Sequence, residues 1–362
     1  MRTIQMSSYT VGEDCFEAIP AVLAPFQAKT VVLVGGRRAL AAAAPGIRAA
    51  LDSANVQILD EIVYGTDSTQ SAIDALVANR AFRDADIAFA IGGGKAIDTV
   101  KTAAKELDKT VFSVPTICSN CSSATAIAVV YNDDHSLKGY AYPDAPAHIF
   151  INPAIIAAAP EEYFWAGIGD ALSKQPEVEY ATSEAELTHT GTLGLTLAHT
   201  CTDPLMAYGE QGLADVRVGQ SSEAVRQIAL DIVVNTGYVS NLTNQPDFYY
   251  NSSLAHAFYN ATTGVQRPGR THLHGEVVSF GVLVLFAYTG DTEQLARYAA
   301  FNKKLGLPVT LAELDLDESH LQRIAELAQN TNEWKQANPA PFSPEGFIEA
   351  IKAADAFGRN LK

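Results

Sequence analysis

The stretch Asp86–Lys101 reads DIAFAIGGGKAIDTVK, and its reading decides the fold. Asp86–Ile91 is a short apolar run of strand length. Gly92, Gly93 and Gly94 follow it, and Lys95–Leu107 has the apolar spacing of an amphipathic helix. A strand passing through glycines into a helix is an arrangement suited to phosphate. The glycines let the backbone approach a pyrophosphate, and the helix turns its first N–H groups and positive dipole end toward the anion. The spacing differs from G-x-G-x-x-G. A tight strand–helix turn that needs glycine on steric grounds is the plain alternative. Lys95 and Asp98, at helical spacing, favour the nucleotide reading.

Working outward, strand-like and helix-like segments alternate through the first ~150 residues, a pattern of parallel strands with crossover helices. Strands are expected at Thr30–Val34, Val56–Val63, Thr110–Val114 and His148–Ile151, and helices at Ala39–Ala54 and Ser68–Arg80, with Ser68 as N-cap. Ala126–Tyr131 and Lys138–Tyr142 are expected to pair as a hairpin around Asn132-Asp133-Asp134. After Pro153 helical periodicity dominates. The expected organisation is an α/β domain over 1–155 and an all-helical domain over 156–362. Asn330–Ser343 reads as a loop, with Ser343 capping the last helix.

The chain has 362 residues, 48% hydrophobic, and a net charge of −16. That charge repels phosphate backbones and argues against nucleic acid as a partner. An anionic substrate would need a local positive centre. No signal-peptide core follows Met1, and the apolar runs are too short to span a bilayer. The four cysteines, Cys15, Cys118, Cys121 and Cys201, are too few for a disulfide scaffold and fit a reducing cytoplasm. Cys118 and Cys121 form a lone C-x-x-C pair with no second pair to complete a zinc site.

GGGKAIDTVK at Gly92–Lys101, followed by Pro115-Thr116-Ile117, resembles the iron-containing alcohol dehydrogenase superfamily, and within it the glycerol dehydrogenase branch. Hydroxycarboxylate dehydrogenases, which reduce 2-oxo acids, are similar through Thr310–Leu314 (Thr-x-Ala-Glu-Leu) and a cysteine like Cys121. The resemblance implies an N-terminal Rossmann-like domain and an all-α C-terminal metal-binding domain, the dehydroquinate synthase-like fold. It implies a divalent metal, Zn²⁺ or Fe²⁺, on Asp170 of Gly167–Leu172, His256 of Ala255–Asn260, and His274 of His274-Gly275-Glu276. Gly167–Leu172 is expected to open a helix. Three ligands leave a position for substrate. Gly92, Gly93, Gly94 and Lys95 are the implied pyrophosphate site, and Asp98 belongs with them to the implied cofactor-binding residues. Thr116, Ser119, Thr125, Ile127 and Tyr131 are the implied lining of the cofactor track, and Gly36 and Arg37 lie at its adenosine end. A small-molecule substrate and a homo-oligomer, dimer or octamer, are also implied.

Three departures shift the expectation within that family. Cys121 stands where glycerol dehydrogenases carry an Asp beside the polyol, which favours a carboxylated substrate and makes Cys121 a candidate catalytic-site residue. Tyr259 stands where a second histidine is common. Gly36-Arg37-Arg38 stands where NAD-preferring members place an acid, so NADP is expected over NAD. The expected activity is hydride transfer between NAD(P)H and a small 2-oxo or 2-hydroxy acid. Glycerol oxidation, a dehydroquinate-synthase-like lyase and a non-catalytic binding protein are the alternatives. Ser122-Ser123-Ala124 replaces the Gly-Gly-Lys of the lyase, and the intact ligand set argues against the binding protein. His272 lies off the ligand positions, His135 and His148 read as structural, and Lys174 reads as a solvated lysine.

Overall fold

The computed structural model describes residues 3–134, 136–265 and 271–361; His135 lies outside them. Two compact units emerge. The first comprises Met1–Glu161 and Asp215–Asn241, the second Glu162–Ala214 and Leu242–Lys362.

The first unit is built on a six-stranded sheet in the order β1-β8-β5-β4-β2-β3. Its strands are β1 (Ser8–Val11), β2 (Thr30–Gly35), β3 (Gln57–Val63), β4 (Ile87–Gly92), β5 (Thr110–Pro115) and β8 (His148–Ile151). All pairings in it are parallel. A parallel sheet needs cover on both faces, so its strands read as continuous apolar runs. Val31 and Leu33 face a core with Phe89, Phe112, Phe150 and Ile47, while Val32 and Val34 face one with Ile73, Phe82, Ile97 and Val100. β6 (Ala128–Tyr131) and β7 (Leu137–Ala141) form the expected antiparallel pair.

The helix after β2, Arg37–Ser53, packs in the first core, and the helix after β4, Gly94–Glu106, in the second. The chain therefore leaves the adjacent strands β2 and β4 toward opposite faces. That divergence opens a crevice at their C-terminal ends, where doubly wound sheets bind ligands. Gly35 and Ile91 are register partners there, which sets the two glycine turns side by side. Gly92 has φ +150°, a conformation that side-chain-bearing residues rarely adopt.

The second unit is helical; its described strands are only Asn244–Gln245 and Phe248–Tyr249. Ser343 caps the final helix by accepting from the Gly346 amide. No helix among the described residues is long and apolar enough to cross a membrane.

Four expectations change. β1 escapes a periodicity reading because it is a half-exposed four-residue edge strand. The helix expected to begin after Ser68 is capped instead by Thr69, whose hydroxyl accepts from Ala72. A short helix, Asn332–Lys335, interrupts the loop expected over Asn330–Ser343. The single cut between 155 and 156 becomes three, after Glu161, Ala214 and Asn241, because 215–241 groups with the α/β unit. Asn241 accepts from the Ala126 amide and donates to the Ala124 carbonyl, which ties that segment down. Helical periodicity reports an apolar face; it does not report which core receives it.

Candidate functional site

In the second unit, three short-range signals converge. Asp170 is the penultimate residue of the helix Glu161–Ala171, His256 lies in the first turn of Leu254–Thr262, and His274 opens His274–Thr289. Asp170 therefore closes its helix rather than opening one, as the sequence had suggested, because the helix starts directly after Pro160. Two glycines allow the approach. A Cβ on Gly275 would stand 1.8 Å from the Ala166 carbonyl oxygen, and one on Gly169 would stand 2.4 Å from that of Gly275. The two backbones touch there, which brings His274 Nε2 to 3.0 Å from Asp170 Oδ1. His256 Nε2 is 3.5 Å from the same oxygen. Ligand atoms of all three residues lie within 4.8 Å of one another. Exposure rises from 14% at Asp170 through 17% at His256 to 35% at His274, so the cluster is open on the His274 side.

His256 is oriented from behind by Glu177, a fully buried acid on the helix Lys174–Thr182. Glu177 Oε2 is 2.6 Å from His256 Nδ1, and Oε1 accepts from the amides of Ser253 and His256. Burial alone would raise the Glu177 carboxyl, but His256 and the two amides hold it below its usual range. Asp170 behaves the same way: burial raises it, and the two histidines more than offset that, leaving it well below ordinary carboxylates. With Nδ1 committed to Glu177, only Nε2 of His256 faces the cluster. Tyr259, one turn after His256, lies edge-on to His274 at 4.2 Å between ring centroids.

The glycine turn lies in the first unit. Gly93 caps the helix Gly94–Glu106 without a side-chain bond. The helix's first amides have no partner within it and can meet an anion. Lys95 is more than half exposed; its ammonium is 3.0 Å from Asp67 and 5.7 Å from the Tyr131 ring centre. Asp98 is buried and bonded inside the first unit. One oxygen accepts from Ser122 Oγ (2.5 Å) and the other from the Val129 amide (3.0 Å). Lys101, with its side chain fully buried, lies 3.0 Å from Asp98 and donates to the carbonyls of Ser122, Thr125 and Ile127. The acid and the lysine together pin the Ser122–Val129 segment to the helix.

Comparison with known proteins gives concordant results. Residues 10–160 match the family model described as iron-containing alcohol dehydrogenase. A glycerol dehydrogenase of Thermotoga maritima is 31% identical over 83% of this chain and 82% of its own. Hydroxycarboxylate dehydrogenase A of Escherichia coli K12 is 29% identical over 91% of each chain. The crystal structure of a probable glycerol dehydrogenase from Sinorhizobium meliloti 1021 matches with a TM-score of 0.85 and 26% identity, over 100% of both chains.

The chain belongs to the iron-containing alcohol dehydrogenase family.

It is a metal-dependent, nicotinamide-linked dehydrogenase acting on CH–OH donors. Its own residues fit the metal. Donor atoms around a four-coordinate zinc, with bonds of about 2.0–2.2 Å, stand about 3.3–3.6 Å apart. At Asp170 Oδ1 the 3.5 Å separation falls within that spacing and the 3.0 Å one lies a few tenths of an ångström short of it. Two imidazoles and a carboxylate suit either Zn²⁺ or Fe²⁺.

Asp170, His256 and His274 are the residues named from sequence that the dehydrogenase gathers in one place. Gly92, Gly93, Gly94 and Lys95 share one turn, and Thr116, Ser119, Cys121, Thr125, Ile127 and Tyr131 lie along the chain between β5 and the end of β6. Thr125 is buried, while Ser119, Cys121, Ile127 and Tyr131 are half-buried. Gly36 caps the helix on which Arg37 and Arg38 stand exposed. His148 is a buried strand residue, with ring nitrogens 2.6 Å from Ser8 Oγ and 2.9 Å from Thr10 Oγ1. Lys174 is not solvated: it is buried, and its ammonium donates to the carbonyl and side-chain oxygens of Asn251. Glu177 and Lys101 were missed, since each takes its role from partners distant in the chain. Glu177→Gln is expected to weaken metal binding about 10–100-fold by loosening the His256 ring. Chelator competition on the purified variant measures this, and an unchanged affinity would rule the orienting role out.

Proposed function

We propose that this dehydrogenase interconverts small 2-oxo and 2-hydroxy acids and favours NADPH, with Asp170, His256 and His274 as the metal ligands. The half-open cluster of those three residues carries the reading. In a chain of net charge −16, a small anion needs a local positive centre, and a divalent ion held there supplies one. When bound, the metal contributes Lewis acidity, which polarises a carbonyl or acidifies a hydroxyl.

The chain's own groups do the rest. Asp170, His256 and His274 hold the ion, and Glu177 fixes the His256 ring. The amides that open the helix Gly94–Glu106 receive the pyrophosphate, with Lys95 beside them. Thr116, Ser119, Thr125, Ile127 and Tyr131 line the rest of the cofactor track. At the adenosine end, Gly36 leaves open space, with nothing within 4 Å of a Cβ built on it, and no acid occupies the first turn after it. Arg37 can pair there with a 2′-phosphate. Cys121, in place of a carboxylate, borders the substrate without repelling an acid.

Glycerol oxidation is the second reading, favoured by the name of the Thermotoga maritima relative. The deciding experiment is a panel of 2-oxo acids, aldehydes and diols, run with NADH and NADPH, with and without chelator. The expected result is chelator-sensitive reduction of 2-oxo acids with higher kcat/KM for NADPH. Efficient glycerol oxidation with no 2-oxo acid reduced would replace the first reading with the second. The proposal includes a cytoplasmic homo-oligomer, dimer or octamer; four cysteines with no disulfide between them support the reducing compartment.

Metal uptake is expected to depend on pH. In the metal-free protein, burial lowers the His256 pKa, but Glu177 and Asp170 outweigh it and raise it from 6.5 to about 10. A metal displaces that proton, so apparent affinity should rise about tenfold per unit from about pH 7 toward pH 10. The sign for metal-free stability is opposite. The raised pKa contributes stability fully below about pH 6.5, which is lost as pH climbs toward about 10. Chelator-competition titrations and apoprotein melting across this range test both; a flat affinity profile contradicts the assignment.

A further inference from the structure

The Thr310–Leu314 segment and His272 have no part in the function so far, and both lie on one bonded path to the metal cluster. The helix that opens with His274 is preceded by Leu273, which has no side-chain oxygen to cap it. Glu276 reaches back instead, and its Oε2 accepts from the Leu273 amide at 3.0 Å. The other Glu276 oxygen lies 3.0 Å from His272 Nδ1. His272 Nε2 lies 3.0 Å from Asp315 Oδ2, so both ring nitrogens are engaged by carboxylates. The His272 and Glu276 side chains are each only 2% exposed.

Asp315 is anchored in turn. It ends the turn Ala312–Leu314 in a left-handed conformation, φ +54°, and its amide donates to Ala312. Glu313 Oε2 accepts from the Val309 and Thr310 amides and the Thr310 hydroxyl. Leu311 donates to Asp355 on the last helix at 2.8 Å. The Thr-x-Ala-Glu-Leu segment is thus a self-bonded platform.

We infer that His272 is a positioning residue, clamping the start of the His274 helix to the Thr310–Asp315 platform and so setting where His274 stands relative to Asp170. The inference rests on Asp170, His256 and His274 being the metal ligands. A ligand that opens a helix follows the placement of that helix end, and groups beyond the ligands themselves tune metal affinity. His256 is held separately, by Glu177, while the backbone contact at Gly275 seats the same helix end from the Asp170 side and the clamp seats it from the other.

The test uses His272→Phe, which removes both bonds, and Asp315→Gly, which removes one while suiting the left-handed backbone. Zn²⁺ affinity is measured by chelator competition, the Co²⁺-substituted spectrum is recorded, and metal-free melting is followed in parallel, with His274→Ala as reference. Both variants are expected to bind Zn²⁺ about 10–100-fold more weakly, with an altered Co²⁺ spectrum and activity restored at saturating metal. A residue that only supports the fold would lower the melting temperature without moving metal affinity, and that result overturns the inference. If His274→Ala loses the metal while both other variants bind like wild type, the clamp alone fails. If His274→Ala keeps wild-type affinity, the ligand assignment fails and takes the clamp with it. Should His272→Phe not fold, Asp315→Gly decides.

Discussion

Asp170→Asn is expected to abolish tight metal binding and to lower kcat/KM at least about a thousand-fold, equivalent to roughly 4 kcal/mol of transition-state stabilisation. Asp170 supplies the carboxylate oxygen that both His256 Nε2 and His274 Nε2 approach. An amide offers a neutral oxygen there and leaves two imidazoles to hold the ion. Asn is nearly isosteric, so the packing between Gly169 and Gly275 should survive, and a loss of activity would report chemistry rather than unfolding. Metal content of the purified variant, together with its circular dichroism and rate, checks this. Stoichiometric metal in an inactive Asp170→Asn protein would remove Asp170 from the ligand set.

The second large effect is expected in the first unit, at a pair with no part in the metal cluster. Lys101→Met should destabilise the α/β unit by about 3–5 kcal/mol, the cost of leaving a buried partner charge uncompensated. Asp98 would lose its cation, and the carbonyls of Ser122, Thr125 and Ile127 would lose a common donor. Because that segment carries Thr125 and Ile127, both proposed to line the cofactor track, cofactor binding should weaken too. Adding Asp98→Asn should recover part of the stability, since the pair acts as a unit. Denaturant unfolding of the single and double variants measures both terms. A single-variant loss below about 1 kcal/mol would mean that the pair contributes little more than a surface ion pair.

These two sites differ in how legible they are. The Gly92–Lys101 turn declares itself because a buried strand, a run of glycines and an amphipathic helix are all local patterns. Most of the parallel sheet could be read the same way. The proposed metal ligands could be named because each lies in a short segment resembling the family's own, but no local pattern shows that Asp170 closes its helix. Asp98 illustrates the limit more sharply. Its place beside the glycines suggested cofactor binding, and nothing in the spacing announced its structural contacts with Ser122 and Val129. The segment 215–241 is the same problem at the scale of a helix pair, since helicity is legible and the receiving core is not.

By itself, the sequence determined the element types, because backbone preference and apolar periodicity act over a few residues, and it pointed to the family through short segments that resemble the family's own. Tertiary structure alone decided which groups meet. Glu177 reaches His256 across 79 positions, Lys101 gathers carbonyls 21 to 26 positions on, and His272 joins Asp315 43 positions away. Each of these contacts depends on how helices pack and where a glycine lets two backbones touch. Those are properties of the assembled core, and no stretch of chain carries them in advance.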